Sequence, residues 1–163
     1  MLFRSNVTFH HPYKAIYVKT NPGTTTSMLP GSGGEIFNIT YTDIEIHNPI
    51  WWNIYIGPQQ QKQPGGGGPG CMLYPLAGGD STCATQPLIT VSNITLRNIV
   101  SHGGILPPGI IRCNATNPCT NFVWDNVKIH GWWRILGLGF ITENTFGNVT
   151  NSHPEPKIGR AHV

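Results

Sequence analysis

The fold is decided by the segment from Gly34 to Gln61, which reads GEIFNITYTDIEIHNPIWWNIYIGPQQQ. The part from Ile39 to Asn48 has two ungapped counterparts further along the chain. These are ITLRNIVSHG, from Ile94 to Gly103, and FVWDNVKIHG, from Phe122 to Gly131. A unit that recurs along a chain predicts an architecture of stacked copies, so we interpret this repeat before any local propensity.

Apolar residues occupy the same columns in the three copies, except that Ser101 takes the place of Ile46 in the second. In the first copy they begin with Ile39 and Tyr41, a spacing of two that puts both side chains on one face of a strand. The apolar positions then change parity, to Ile44 and Ile46. The change occurs at one polar column, whose members are Asp43, Asn98 and Asn126.

That polar column predicts a sharp bend between two short strands. Asn and Asp adopt left-handed backbone angles more readily than any residue other than glycine. A strand–bend–strand unit cannot bury its apolar face alone, whereas stacked copies of it can. We therefore predict an all-β solenoid of about four coils.

A shorter motif recurs after each repeat: IYVK at residues 16–19 matches IYIG at residues 54–57. Strand alternation buries the two branched apolar residues of the first copy and puts Tyr17 and Lys19 together on the outer face. A first, weaker copy of the segment from Ile39 to Asn48 is Val7–Phe9.

Composition narrows the class of protein. The chain has 163 residues, enough for one domain with a sizeable core, and only 10% are charged while glycine and proline are plentiful. The net charge of +3 is spread without a Lys/Arg cluster, so we predict no nucleic-acid partner. No apolar run approaches the roughly 20 residues of a membrane span, so we predict no membrane partner.

The four cysteines form two close-spaced groups, Cys71 with Cys83 and Cys113 with Cys119. This grouping predicts two loop disulfides, although four cysteines allow three connectivities. The alternative, a zinc site, lacks the usual ligand spacing, and we expect no metal and no cofactor. Disulfides predict a secreted, extracellular protein.

Five Asn-x-Ser/Thr sequons occur, at Asn6, Asn38, Asn93, Asn114 and Asn148. The triplet NIT at two of them recurs because the repeat does. Asn114 lies in a loop beside two cysteines and is the candidate for glycosylation.

The remaining segments bound the repeats. Residues 59–86 form the longest excursion and are rich in glycine and glutamine. The tail KIGRAHV is what a common sequencing-library adapter encodes when read in frame, so we interpret residues 158–163 as non-native. The chain also opens within a repeat and shows no signal peptide, so we expect an internal fragment whose first part is missing.

Three segments resemble the polygalacturonase-like enzymes of glycoside hydrolase family 28. They are AIYVKTNPG (Ala15–Gly23), NITYTDI (Asn38–Ile44) and NPI (Asn48–Ile50), in the order and spacing found in that family. The resemblance covers roughly Val7 to Asn148. It implies a right-handed parallel β-helix, of which residues 1–157 would be the C-terminal portion of one domain.

The resemblance also implies a function: inverting hydrolysis of glycosidic bonds in a pectin-type cell-wall polysaccharide. The family's catalytic acids and its Gly-His-Gly histidine lie upstream of these segments, and no such motif occurs here. We therefore assign no catalytic residue and expect this chain alone to be inactive. The full-length protein is expected to be a monomer acting on polysaccharide.

The candidate substrate-binding residues are Lys19, Tyr17 and Tyr55, of which the resemblance implies only Lys19. In the family, the lysine equivalent to Lys19 and an arginine two places before it bind the substrate carboxylate. Tyr17 stands at the arginine position, and tyrosine cannot form a bidentate pair with a uronate. Tyr55 is its counterpart in the next copy.

Other polar and aromatic residues have structural interpretations. His47, His102 and His130 share a column and predict a stack, and Asp43, Asp80 and Asp125 are interpreted as structural acids. Trp51 and Trp52 are adjacent, so at most one points inward and the other is a candidate platform for a sugar ring.

Two alternatives to a hydrolase stay open. One is a non-catalytic carbohydrate-binding or structural β-helix, which Tyr17 in place of arginine favours. The other, a calcium-dependent lyase, needs calcium-binding acids that this stretch lacks.

Overall fold

Nine strands and one short 3-10 helix make up the described part of the computed structural model, which comprises residues 2–20, 33–59, 71, 74 and 83–159. The strands are β1 (Leu2–His10), β2 (Ile16–Thr20), β3 (Gly34–His47), β4 (Ile54–Gln59), β5 (Ile89–His102), β6 (Gly109–Arg112), β7 (Cys119–His130), β8 (Ile141–Glu143) and β9 (Thr145–Thr150). The helix spans Trp132–Leu136. No helix in these ranges is long and apolar enough to cross a membrane.

The strands form two parallel sheets. The odd-numbered strands follow one another in the order β1-β3-β5-β7-β9, and the even-numbered strands in the order β2-β4-β6-β8. The chain alternates between the sheets and returns each time to the next place along. The protein is therefore all-β, and each sequence repeat adds one strand to each sheet.

The three aligned decapeptides lie side by side in register, as predicted. Ile39 pairs with Ile94, and Tyr41 pairs with Leu96, which pairs in turn with Trp124. The shorter motif behaves likewise, since residues 16–18 pair with residues 54–56. Because the three decapeptides keep one register, side chains of one sequence column become spatial neighbours.

The predicted copy at Val7–Phe9 is confirmed. Val7 pairs with Ile44 and Phe9 with Ile46, both within the segment from Ile39 to Asn48. The Asn-Val-Thr at Asn6 is similar to the Asn-Ile-Thr at Asn38, but Asn6 has a φ of 55° and lies in the column of Asp43. The bend, and not the triplet, therefore sets the alignment.

The polar column is a line of bends, as predicted. Asp43, Asn98 and Asn126 have φ values of 55°, 52° and 57°. Asn98 Nδ2 donates a hydrogen bond of 2.9 Å to Asp43 Oδ1, and Asn126 Nδ2 donates one of 3.0 Å to Asn98 Oδ1. Each bend is thus bonded through its side chain to the bend of the neighbouring strand.

A second column of bends was not predicted. Asn38, Asn93 and Asn121 have φ values of 56°, 54° and 56°. Two of them belong to the NIT triplets that we attributed to the repeat, and the structure gives the reason: the asparagine is the bending residue. The long odd-numbered strands β3, β5 and β7 therefore each bend twice.

One core lies between the two sheets. It combines side chains of the odd-numbered strands with side chains of the even-numbered strands in a single cluster. Among its most buried members from the two sheets are Ile46, Leu96, Trp124, Ile54 and Ile56. The predicted burial of Ile16 and Val18 is confirmed, since β2 alternates buried and exposed along its length.

A second apolar cluster lies on the other face of the even-numbered sheet. Its buried members are Trp52, Tyr55, Cys71, Tyr74, Cys83 and Ile110. Tyr55 and Ile110 are register partners whose neighbours on each strand point into the main core. Part of the excursion between β4 and β5 therefore covers the outer face of β4 and β6.

Both predicted disulfides are formed. Cys71 is bonded to Cys83, with 4.6 Å between their Cα atoms, and Cys113 is bonded to Cys119, with 5.7 Å between theirs. The first bond closes a piece of the excursion that contributes Tyr74 to the second cluster. The other residues of that piece lie outside the described residues.

The last part of the chain is not continuous β-structure. Trp132–Leu136 form a 3-10 helix that ends at Gly137, where φ is 67°. Ile158 packs against the core and Gly159 bridges to Phe146, and the non-native origin of residues 158–163 stays a prediction. Residues 160–163 lie outside the described residues.

The bend ladder predicts a specific ranking of variants at Asn98. Asn98→Gly keeps the left-handed backbone at little cost but removes the amide, and should destabilise by about 1 kcal/mol in urea unfolding. Asn98→Ala loses the amide and also strains the backbone, and should cost about 2 kcal/mol.

Asn148→Ala is the matched control, because Asn148 is an exposed asparagine without a left-handed backbone. It should change the free energy of unfolding by less than about 0.5 kcal/mol. Equal effects of all three substitutions would contradict a role for the bend.

Candidate functional site

The outer face of β2 presents Tyr17 and Lys19, as predicted. Both side chains are exposed, and they alternate with the buried residues of the same strand. The end of β2 is held by Thr20, whose hydroxyl donates a 3.2 Å hydrogen bond to the carbonyl oxygen of Gly57. Gly57 has a φ of 98°, and a Cβ there would lie 2.3 Å from the carbonyl oxygen of Arg112, so this position requires glycine.

Aromatic rings surround Tyr17. The rings of Tyr17 and Tyr55 meet edge to face with 5.1 Å between centroids. Beside them, Tyr13 and Trp51 pack with 4.8 Å between centroids. Since Tyr13 and Tyr17 are both more than a third exposed, the group forms an aromatic surface that is open to solvent on one side.

Lys14 is a residue of this face that the sequence analysis did not single out. Its Nζ lies 4.3 Å from the ring centroid of Tyr17 and 4.5 Å from that of Tyr55. The rings of Trp51 and Tyr13 follow at 5.8 and 5.9 Å. Four aromatic side chains therefore surround one ammonium group, an arrangement stabilised by cation–π attraction.

We call the four rings around Lys14 the aromatic box, and a weak signal for it exists in the sequence. Tyr13-Lys14 follows the first histidine of the stack at nearly the distance at which Trp51 follows the second. The alignment becomes visible only once His10 is known to pair with His47. Without that register, Lys14 is one solvated lysine among several.

The electrostatics of the site are those of two neighbouring cations. Lys19 Nζ lies 6.0 Å from the ring centroid of Tyr17, the same ring that Lys14 contacts. Burial lowers the pKa of the Lys14 amine from its usual value, and the positive charge of Lys19 lowers it further. Burial also raises the pKa of the Tyr17 phenol, which stays neutral at physiological pH.

Tyr55 does not lie on the open face where we expected it. Its side chain is fully buried as a member of the second apolar cluster. Its hydroxyl donates a 3.1 Å hydrogen bond to the carbonyl oxygen of Gln59, and burial followed by the effect of Tyr17 raises its pKa. Tyr55 therefore supports the rings of the site from below and is not exposed to a ligand.

The adjacent tryptophans divide as predicted. Trp52 is fully buried in the second cluster, and Trp51 is half-buried against Tyr13. The same division recurs at Trp132 and Trp133, which are 71% and 2% exposed. Trp51 thus belongs to the aromatic surface, while Trp132 lies at the start of the 3-10 helix.

The acids occupy structural positions. Asp43 belongs to the bend ladder, and Asp125 accepts hydrogen bonds of 3.1 Å from Arg97 and 3.0 Å from Thr150. Asp80 lies outside the described residues. Within the described ranges, no group of three or more His, Cys, Asp or Glu side chains could hold a metal ion.

An ion pair between the buried Arg112 and the partly exposed Glu143 joins β6 to β8. Arg112 is 6% exposed, and its Nε donates a 2.7 Å hydrogen bond to Glu143 Oε2. The guanidinium lies 4.4 Å from the ring centroid of Tyr74, whose hydroxyl donates to the other oxygen of Glu143. These contacts separate a covered part of the outer face from the open part at β2.

The predicted histidine stack is confirmed, and it has one more member. His10, His47, His102 and His130 follow one another with centroid distances of 5.0, 5.8 and 5.9 Å and interplanar angles of 9°, 23° and 16°. The stack is a feature of the strand register.

Asn114 has both ends of its carboxamide engaged. Nδ2 donates a 3.0 Å hydrogen bond to Thr85, and Oδ1 accepts a 2.9 Å hydrogen bond from the backbone of Thr116. Its glycosylation stays a prediction, and attaching a glycan at Nδ2 would displace the bond to Thr85.

Comparisons with protein-family models, curated proteins and solved structures found no match to this chain. The functional interpretation therefore depends on the geometry of the site and on the motifs of the sequence.

One prediction concerns His130 at the end of the stack. Burial lowers its pKa first, and the charge of Arg134, whose guanidinium lies 3.3 Å from Nδ1, lowers it next. Arg134→Gln should raise the His130 pKa toward its usual value in an NMR titration of the imidazole, while Arg97→Gln, a distant exposed arginine, should leave it unchanged.

The lowered pKa of His130 also determines how the stability of the fold changes with pH. A histidine whose folded pKa lies below its unfolded value stabilises the fold above the unfolded pKa, and this stabilisation is lost as the pH falls through that range. Arg134→Gln should therefore reduce the loss of stability on acidification. A His130 pKa that is the same in both variants would contradict the assignment.

Proposed function

We propose that this chain is part of a right-handed parallel β-helix of the polygalacturonase-like type, and that the face around Tyr17 and Lys19 binds pectin-type polysaccharide. Support for the fold comes from the strand order, in which the chain visits two parallel sheets alternately and advances one place on each visit. This is the order of a chain that winds around a common axis. It agrees with the motif resemblance that the sequence carries.

The observation that carries the binding proposal is the pairing of an exposed aromatic ring with an ammonium group on one strand face. Tyr17 offers a ring on which the C–H face of a sugar can stack, and Lys19 offers donors to hydroxyl or carboxylate oxygens. Tyr13 and Trp51 extend the aromatic surface beside them. Flat apolar rings with adjacent polar donors are the chemistry that recognises a polysaccharide.

The part of the reaction that belongs to this chain is binding. Inverting hydrolysis needs one carboxylic acid to protonate the leaving oxygen and a carboxylate to activate water. Asp43 and Asp125 are bonded within the odd-numbered sheet, on the other side of the core from Tyr17. We therefore assign the cleavage chemistry to residues outside this sequence and expect the 163-residue chain to bind without cleaving.

The location we propose is extracellular. Two disulfides persist where the surroundings are oxidising, and the long-lived cross-links of secreted proteins are of this kind. A polysaccharide of the cell wall is met in the same place.

A second function has one specific observation in its favour. Tyr17 takes the position of an arginine in the resembling enzymes, and such a change suits a protein that holds a sugar chain without processing it. A non-catalytic carbohydrate-binding or structural β-helix protein would use the same face. The two functions differ in whether the full-length protein releases reducing ends.

Binding is tested with single substitutions on the open face. Tyr17→Ala and Lys19→Ala should each weaken binding of pectic oligosaccharides to this chain by about five- to tenfold in isothermal titration calorimetry. Lys128→Ala, which removes an exposed lysine from the odd-numbered sheet, should have no effect. Equal binding by all three variants would refute the proposed face.

Catalysis is tested separately. Incubated with polygalacturonate, the chain alone should release no reducing sugar above a buffer control, because the acids required for inversion are absent from its motifs. Turnover that survives purification would overturn the assignment of the chemistry to residues outside this sequence.

A further inference from the structure

Two amines share one aromatic ring at the open face. Lys14 Nζ lies 4.3 Å and Lys19 Nζ 6.0 Å from the ring centroid of Tyr17. Lys14 comes from the turn before β2 and Lys19 from near its end, so the strand brings together two charges that are five positions apart in sequence. The positive charge of Lys19 disfavours the charged form of Lys14, and a nearby anion would offset this repulsion.

The surroundings of Lys14 do not supply that anion. In the described part of the chain, Lys14 takes part in no ion pair and no hydrogen bond, and its contacts are the four rings of the aromatic box. Ring faces attract the ammonium group but accept none of its three N–H donors in the manner of a carboxylate. The Lys14 ammonium group is therefore held in place by aromatic rings, and no carboxylate of the described residues contacts it.

We propose that Lys14 is a second anion-binding residue of this face, which acts with Lys19 to select a polysaccharide that carries carboxylates. The inference rests on the proposed function and narrows its substrate class from pectin-type chains in general to uronates with free acid groups. Where the resembling enzymes have an arginine, this strand has Tyr17. The positive charge beside the Tyr17 ring comes instead from Lys14, in the turn before the strand. The aromatic box fixes the position of that charge before the ligand arrives.

The direction of the pKa shift is consistent with this assignment. The titratable groups that face the Lys14 amine are Lys19, Tyr13, Tyr17 and Tyr55, and no carboxylate of the described residues is among its contacts. A bound carboxylate stabilises the ammonium form and raises the lowered pKa of Lys14 again. Binding should therefore take up protons in the alkaline range, and affinity should fall as the pH rises through the Lys14 pKa.

The test compares a charged ligand with a neutral one. Trigalacturonate and its fully methyl-esterified form are titrated into the chain and into Lys14→Met, which keeps an unbranched apolar stem in the box. We expect Lys14→Met to weaken binding of the acid about tenfold, the loss of one charge-assisted contact, and to leave binding of the ester within about twofold. Lys14→Arg should retain most of the affinity for the acid.

Two further readouts separate charge from packing. Raising the salt concentration should weaken binding of the acid to the unmodified chain more than to Lys14→Met, because one screened interaction has been removed. Proton uptake, measured by calorimetry in buffers of different ionisation enthalpy between about pH 8 and pH 11, should be smaller in Lys14→Met. Lys128→Met is the control for a lysine outside the site.

The outcomes distinguish this inference from the proposed function. If the acid and the ester bind equally well, or if Lys14→Met weakens both to the same extent, the site binds polysaccharide but Lys14 does not select for charge. If neither ligand binds the unmodified chain, the proposed function itself is wrong. Loss of the acid alone in Lys14→Met, with recovery in Lys14→Arg, supports the selection.

Discussion

The structure depends on bends that only a few residue types can make. At Asp43, Asn98 and Asn126 the backbone turns through left-handed angles, and each side chain bonds to the bend on the neighbouring strand. These hydrogen bonds keep the bends of successive strands side by side across the sheet. Because a slip of one residue would put apolar side chains on the wrong face, the bend column and the core support the same register.

A constant register turns sequence columns into rows of touching side chains. The histidine stack and the edge-to-face pair of Tyr17 and Tyr55 both follow from this rule. The rule also explains why recurring polar residues, such as His47 and its partners, do not indicate catalysis: a residue that suits one strand suits the same place on the next. Function is better sought where an outer face is left open, as at β2.

The candidate site exists because the outer face of the even-numbered sheet is covered at one end and open at the other. Over β4 and β6 the face is covered by the second apolar cluster and by the ion pair of Arg112 with Glu143. At β2 the same face is open, and its exposed side chains are Tyr17 and Lys19. The buried ring of Tyr55 links the two parts, because its edge supports Tyr17 while its hydroxyl bonds to the strand end below the cover.

Local preferences determined much of this protein from its sequence alone. Alternation with a period of two predicted the buried Ile16 and Val18, the left-handed preference of Asn and Asp predicted the first line of bends, and close spacing predicted both disulfides. Only the tertiary structure decided that Tyr55 is covered and that Lys14 lies inside an aromatic box. Those two placements depend on contacts between residues far apart in sequence, namely Cys71 and Tyr74 packed over β4, and Trp51 brought beside Tyr13 by strand pairing. No short-range pattern encodes such contacts, because burial of an outer face depends on which distant segment folds over it.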